Sequence, residues 1–279
     1  MGEKSVNERV QEVEIDILRQ IDGICKKYGI EYFAIGGTVL GAVRHQGFIP
    51  WDDDIDIAMP RKDYEKFLRV AQDELPKGYF VQNYFTEPNT PFYFTKIRKD
   101  NTLFVEYYLR DCKIHQGIFV DIFPFDAVPK NKWVRKIHFR ICRTLYQLFL
   151  AKSLTTACSS RFKQQDNYKS YLRKIAHALL FFFPKSWLFN ALNHCVQIFN
   201  NRSTEEISHI VRKRLRVSLK ELYPIQYLPF SGFQMPVPND YDAYLKAQFG
   251  EYDILPPEEK RYGHLPYQVE FDLDEGDRS

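Results

Sequence analysis

The sequence predicts an α/β fold: a mixed β-sheet flanked by helices, with a helical, basic insertion. Three observations carry this. Helical and strand periodicities alternate over the first 75 residues; aromatic and β-branched runs fill residues 79–123; and a long stretch beyond residue 130 is helical in pattern and strongly basic.

The elements follow in order. Val10, Val13, Ile17, Leu18, Ile21, Ile24 and Cys25 recur at helical spacing, so residues 7–27 read as an amphipathic helix that stops at Lys26, Lys27 and Gly29. Tyr32 to Ile35 reads as a short strand running into Gly36-Gly37, and Thr38 to His45 as a brief helix broken by Gly47 and Pro50. In Asp54-Ile55-Asp56-Ile57, acid and aliphatic residues alternate with the period of a strand, which Pro60 ends. Arg61 to Glu74 is a helix with Tyr64, Phe67, Leu68 and Ala71 on one face. Tyr79 to Asn83, Phe92 to Arg98, Thr102 to Tyr107 and Gly117 to Phe123 read as strands, the last closed by Pro124. From about Asn131 to Val217 the pattern is helical throughout, and past Pro224 the segments are short and irregular, with an acidic, disordered tail from Asp272. The expected organisation is a catalytic core over residues 1–130, a basic helical insertion over 131–217, and a C-terminal segment, 218–279, closing on the core.

Composition narrows the class. The chain has 279 residues, 44% of them hydrophobic, enough for a large core. An aromatic fraction of 16% fits either a thick aromatic core or a surface that meets sugar or apolar groups. The five cysteines, Cys25, Cys112, Cys142, Cys158 and Cys195, are odd in number and widely spaced. They form neither a disulfide framework nor a zinc-type pairing along the chain, so reduced thiols in a cytoplasmic protein are expected. Met1 to Gln20 is polar rather than a signal peptide, and Ala178 to Phe183 is far too short an apolar run to span a membrane. Charge is unevenly placed: Lys130 to Lys185 holds 13 Lys or Arg and one acid, Asp166, whereas the rest of the chain is net acidic. Such a split suggests a polyanionic neighbour.

The chemistry gathers on the acidic strand. Side chains two apart on a strand share a face, so Asp54 and Asp56 point together while Ile55 and Ile57 point into the core. Adjacent carboxylates repel unless a cation lies between them or one is protonated. Hard oxygen donors suit Mg²⁺ or Mn²⁺, and Asp52 and Asp53 add charge upstream. The plain alternative is a solvated acidic loop. An EF-hand reading of Asp52, Asp54, Asp56 and Asp63 fails because Ile57 stands where that loop needs glycine. Asp121 interrupts an apolar strand and is a candidate third metal ligand or general base, the alternative being an ion pair with a neighbouring Lys or Arg. Gly36-Gly37-Thr38, between strand and helix, can admit a phosphate to a helix N-terminus or simply make a tight turn. Lys96 and Arg98 alternate on one strand face and could clamp phosphate oxygens or sit on a solvated edge. Arg44, permanently charged, is preferred to His45 as a phosphate contact.

The stretch GGTVLGAVRHQGFIPWDDDIDIAMP, Gly36 to Pro60, resembles the signature of the LicD family, bacterial phosphocholine transferases related to fukutin and fukutin-related protein within the nucleotidyltransferase superfamily. Gly36-Gly37, Asp54 and Asp56, then Asp121 follow the family order. KIRKDNT (Lys96 to Thr102), GIFVDIFPFD (Gly117 to Asp126) and the run from Gly232 through Tyr252, Pro256 and Pro257 to His264 also look like family segments. The likeness covers about residues 8–126 and 228–265. One departure is Gly-Gly where the superfamily often has Gly-Ser, with Thr38 standing by to supply a hydroxyl.

The resemblance implies a nucleotidyltransferase-like sheet and transfer of a phosphocholine-type group from a CDP-linked donor, typically CDP-choline, to a sugar hydroxyl of a cell-surface glycan or lipid-linked glycan of teichoic acid, lipopolysaccharide or capsule type. Asp54, Asp56 and Asp121 would hold Mg²⁺ or Mn²⁺ and act in catalysis, with Asp121 as base. Gly36, Gly37, Thr38, Arg44, Lys96, Arg98 and His264 would contact the donor. Nucleotidyl or sugar-phosphate transfer by the same site, or a non-enzymatic scaffold beside a membrane, are the alternatives. In the basic segment Trp133, Phe139, Leu145, Leu148, Phe149, Trp187 and Phe189 interleave with Lys and Arg. That suits an anionic membrane face, a phosphorylated glycan or helix packing. No recognition motif supports nucleic acid. The expected location is cytoplasmic, with a peripheral seat on the inner face of the plasma membrane.

Overall fold

A computed structural model of the chain describes residues 4–154, 182–211, 215–263 and 266–273. The first helix, α1, runs Val6–Tyr28. Ser5 and Glu8 form a reciprocal capping box at its start, and Gly29, at φ +57°, closes it in the left-handed conformation that glycine adopts without steric cost. Its buried stripe, Val10, Ile17, Leu18 and Ile21, lies against the sheet.

That sheet is built around strand β6, Phe119–Ala127, every residue of which is buried. Before it in the chain come β1 (Phe33–Ala34), α2 (Gly36–His45), β2 (Asp56–Pro60), α3 (Arg61–Glu74), β3 (Tyr79–Gln82), β4 (Thr95–Lys99) and β5 (Leu103–Val105). The order across the sheet is β1-β2-β6-β4-β3, with β2 parallel to β6 and the other neighbours antiparallel. A strand flanked on both sides and covered on both faces reads as a continuous apolar run, which is why Asp121 stands out within it.

Two differences from the sequence reading concern this strand. Pro124 was expected to end it, yet β6 continues to Ala127. Asp121 sends its amide to Ile55 of the β2 side, so by alternation residue 124 would direct an amide toward β4. That strand has already stopped, at the pair Thr95↔Ile122. Proline, which has no amide hydrogen, therefore sits where no partner would receive one. Residues up to Val217 were also expected to be helical. Instead β7 (Glu206–Ser208) joins the far end of β6, opposite Asp126 and Ala127, and β8 (Arg216–Ser218) pairs with β7, curling the sheet to seven strands.

The basic segment supplies α4 (Lys132–Ser153) and α5 (Lys185–Gln197), which pack on each other around Cys142, Phe149, Leu188, Phe189, Leu192 and Val196 as a second core. The chain ends through α6 (Leu219–Leu222), a hairpin of β9 (Gln226–Phe230) and β10 (Phe233–Val237), α7 (Tyr241–Phe249), and β11 (Gln268–Glu270), which pairs with β5. The hairpin turns on Ser231 and Gly232, both at positive φ, as a two-residue turn between twisted strands requires. Among the described residues, no helix is long and apolar enough to cross a membrane.

Candidate active site

Parallel pairing of β2 with β6 sets Asp56 directly opposite Asp121. The amide of Asp121 donates to the carbonyl of Ile55 at 2.9 Å, which fixes that register. The loop before β2, Trp51 to Asp54, is held from α1: Gln11 Nε2 and Asn7 Nδ2 donate to the Asp52 carbonyl at 2.8 and 3.1 Å. The carboxylates of Asp52, Asp53 and Asp54 consequently meet within 4.8 Å of one another. These three, rather than Asp54, Asp56 and Asp121, make the tight group among the described residues. Asp56 and Asp121 stand beside them as paired strand neighbours, and the Asp54 charge acts on Asp121.

The N-terminus of α2 abuts this group. Gly36, at φ +58°, donates its amide to the Tyr244 hydroxyl at 3.0 Å, and a methyl on it would come 3.8 Å from Asp56 Oδ2. A methyl on Gly37 would come 2.8 Å from Asp52 Oδ2, so only glycine lets that carboxylate settle at the helix end. Thr38, nearly buried, accepts the Asp56 amide on Oγ1 at 2.9 Å. The glycine turn thus seats carboxylates at the positive end of a helix, and Thr38 positions the acidic strand.

Asp121 is itself buried. Lys96, opposite it on β4, places Nζ 2.8 Å from Asp121 Oδ1 and 3.2 Å from Glu106 Oε2 while resting on the Phe119 ring. Lys96 is 1% exposed. The ion-pair alternative for Asp121 is therefore realised, and Lys96 serves the acids before it could serve a phosphate. Burial pushes the Asp121 carboxyl up, to about 6, against the pull of Lys96, with Glu106 and Asp54 adding to the rise.

Arg98 does not fit the expected phosphate clamp. It is wholly buried, donating from Nε to Gln82 Oε1 and from Nη1 to the Gly117 carbonyl, each at 2.6 Å, and it braces the sheet from within. Strand alternation put Lys96 and Arg98 on one face, as expected, but that face is covered. Arg44 remains partly exposed at the end of α2; its Nη1 donates to the Tyr252 carbonyl at 2.8 Å. His264 lies outside the described residues, though neighbouring Gly263 packs so closely on Asp53 that a methyl there would sit 2.6 Å from Oδ1.

Sequence reasoning missed Glu14. It is 1% exposed, its Oε2 has no hydrogen-bond partner among the described residues, and burial together with the charges of Asp54, Asp53, Asp52 and Asp121 holds its carboxyl well above the ordinary range. The signal was present: Glu14 lies four residues from both Val10 and Leu18, an acid inside the apolar stripe of α1. Glu106 gave no such signal, because only the fold brings it to Lys96. The donor set is all oxygen and crowded, with one buried oxygen of Glu14 that has no hydrogen-bond partner among the described residues. It fits a hard divalent cation.

Elsewhere on the molecule, Lys132, Arg135, Lys136, Arg140 and Arg143 of α4 join Arg216 around a cavity of about 500 Å³. Trp133, Ile137 and Ile141, at successive four-residue steps along the same helix, are exposed.

Residues 29–146 match the LicD/FKTN/FKRP nucleotidyltransferase domain. The chain is 28% identical over 255 residues to lipopolysaccharide cholinephosphotransferase LicD of Haemophilus influenzae, an alignment covering 91% of this chain and 94% of that protein. A shorter segment of 45 residues is 40% identical to ribitol 5-phosphate transferase FKRP of Homo sapiens and of Mus musculus, covering 16% of this chain and 9% of those proteins.

Proposed function

We propose that this LicD-type phosphotransferase moves a phosphocholine-type group from a CDP-linked donor to a sugar hydroxyl of a cell-surface glycan, with Mg²⁺ or Mn²⁺ at its acidic centre. The reading rests on one observation above the others: Asp56 and Asp121 are opposed across parallel strands, with the Asp52–Asp54 carboxylates and a glycine-started helix beside them. Asp54, Asp56 and Asp121 are the residues to hold the cation, with Asp52, Asp53 and Glu14 close enough to share in its field. The cation, when bound, supplies Lewis acidity at the attacked phosphorus and neutralises the diphosphate.

The chain's own groups do the rest. Asp121, raised toward neutrality, takes the proton of the attacking sugar hydroxyl. Lys96 holds that carboxylate and Glu106 in place. Thr38 fixes Asp56 through its backbone, and Gly36 and Gly37 keep side chains from the space before the helix end. Arg44, partly exposed in the last turn of α2, is our candidate contact for donor phosphate.

The basic face of α4 suits a peripheral seat on an anionic membrane, where a lipid-linked acceptor would be met: its exposed Trp133, Ile137 and Ile141 stripe is flanked by Lys132, Lys136 and Arg140.

The test is CMP release from a panel of CDP-linked alcohols, with and without Mg²⁺. Wild-type protein should release CMP from one donor in a cation-dependent way, and Asp56→Asn should lose that activity by about 1,000-fold while melting as the wild type does. Near-normal turnover by Asp56→Asn would refute the assignment. Flotation with phosphatidylglycerol vesicles, against neutral ones, tests the membrane seat; absence of binding at modest salt rejects it.

A further inference from the structure

The cysteines, unremarkable in sequence, converge in the second core. His138 and Cys142 are four residues apart on α4 and share a face. Cys195 meets them from α5, with Cys142 Sγ and Cys195 Sγ 3.2 Å apart. One ring nitrogen of His138 and the two sulfurs lie within 4.8 Å of one another, all on buried or nearly buried residues.

The histidine is set up in a particular way. Nε2 lies 2.9 Å from the Cys195 carbonyl, an acceptor only, so Nε2 carries the hydrogen. Nδ1 is then a bare lone pair, and it is buried without a partner among the described residues, on a side chain only 5% exposed. A buried acceptor left idle is costly, and an imidazole whose second nitrogen donates to a backbone carbonyl has the tautomer and orientation of a metal ligand.

We propose that His138 Nδ1, Cys142 Sγ and Cys195 Sγ bind one soft divalent cation, zinc by ligand type, that ties α4 to α5. Imidazole with two thiolates is a donor set for zinc and is foreign to the oxygen-only acidic centre. The next carboxylate, Asp126, is committed to Arg61 and Asn200, so among the described residues the fourth position falls to water or an exchangeable ligand. Binding releases the two thiol protons to solvent, and no redox step is involved.

The test uses the full chain purified under reducing conditions. Zinc by mass spectrometry of the metal should be about one per chain, and cobalt substitution should give the thiolate charge-transfer bands that oxygen ligands cannot. Cys142→Ser with Cys195→Ser should remove both, as should His138→Ala in large part, while Asp56→Asn leaves them unchanged. Should those variants fail to fold, the cobalt spectrum of the wild type decides alone. A wild type without thiolate bands, a Cys142–Cys195 disulfide found in the reduced preparation, or zinc retained by the double serine variant would overturn the proposal.

Discussion

Lys96→Met keeps the aliphatic stem over Phe119 and removes only the charge. In the wild type the ammonium lies 2.8 Å from Asp121 and 3.2 Å from Glu106. At an effective dielectric of about 20, those separations give gross attractions of about 6 and about 5 kcal/mol. Desolvation of three buried ions consumes much of this, and loss of one partner from a buried pair typically costs about 3–5 kcal/mol. The variant should therefore melt on the order of 10 °C lower at neutral pH. The pH dependence follows from the same charges. Lys96 draws the Asp121 pKa down, while burial, Glu106 and Asp54 raise it. Without Lys96 the folded chain keeps a proton on Asp121 far above the ordinary value of 3.8. Its stability is then fullest near that value and falls as pH rises through the raised folded pKa. Thermal melts from pH 4 to 8, in the presence of a chelator, read this directly. Equal melting of variant and wild type at pH 8, or a gap that does not shrink on acidification, would refute the account of the Lys96 triad.

Three further outcomes are expected. Asp126→Asn breaks a buried pair in which Arg61 reaches both carboxylate oxygens, at 2.8 and 2.7 Å, and should lower stability by about 3–5 kcal/mol in urea titrations. Glu14→Gln removes a carboxyl whose folded pKa is raised, so the wild type loses stability as pH rises above 4.5. In the chelated protein the glutamine variant should gain on the order of 1–3 kcal/mol at pH 8 and little at pH 4, by denaturation midpoint. Gly37→Ala places a methyl 2.8 Å from Asp52 Oδ2 and should cut turnover by about 100-fold, with a melting temperature close to that of the wild type.

What the sequence made legible was local. The ends of α1 and α3 were readable within a residue, because periodicity, Gly29 and Pro60 act over single turns. The acidic strand was readable only in part: Asp56 and Ile57 lie on β2, but Asp54 falls in the loop before it, and the fold pairs Asp56 with Asp121, the two residues singled out on separate strands. What stayed hidden depends on register between distant strands. Nothing near Arg98 announces that Gln82 and Gly117 will enclose it, and nothing near Lys96 points to Glu106. The strand character of residues 206–208 and 216–218 comes from an open edge of β6 beyond Ile122, which no short window contains. Cys142 and Cys195 are 53 positions apart and become neighbours only when α4 and α5 pack.

The Gly36–Tyr244 hydrogen bond joins positions 208 residues apart. A nascent polypeptide carries Asp52, Asp53, Asp54, Asp56 and Asp121 well before it carries this hydroxyl. At that stage the turn preceding α2 has an unanswered amide, and the wall behind Asp56 has not been made. Catalytic competence must therefore arrive late in synthesis, when the last third of the chain folds back onto the first, and a protein truncated ahead of α7 would hold every carboxylate of the acidic centre yet lack the framework that aims them.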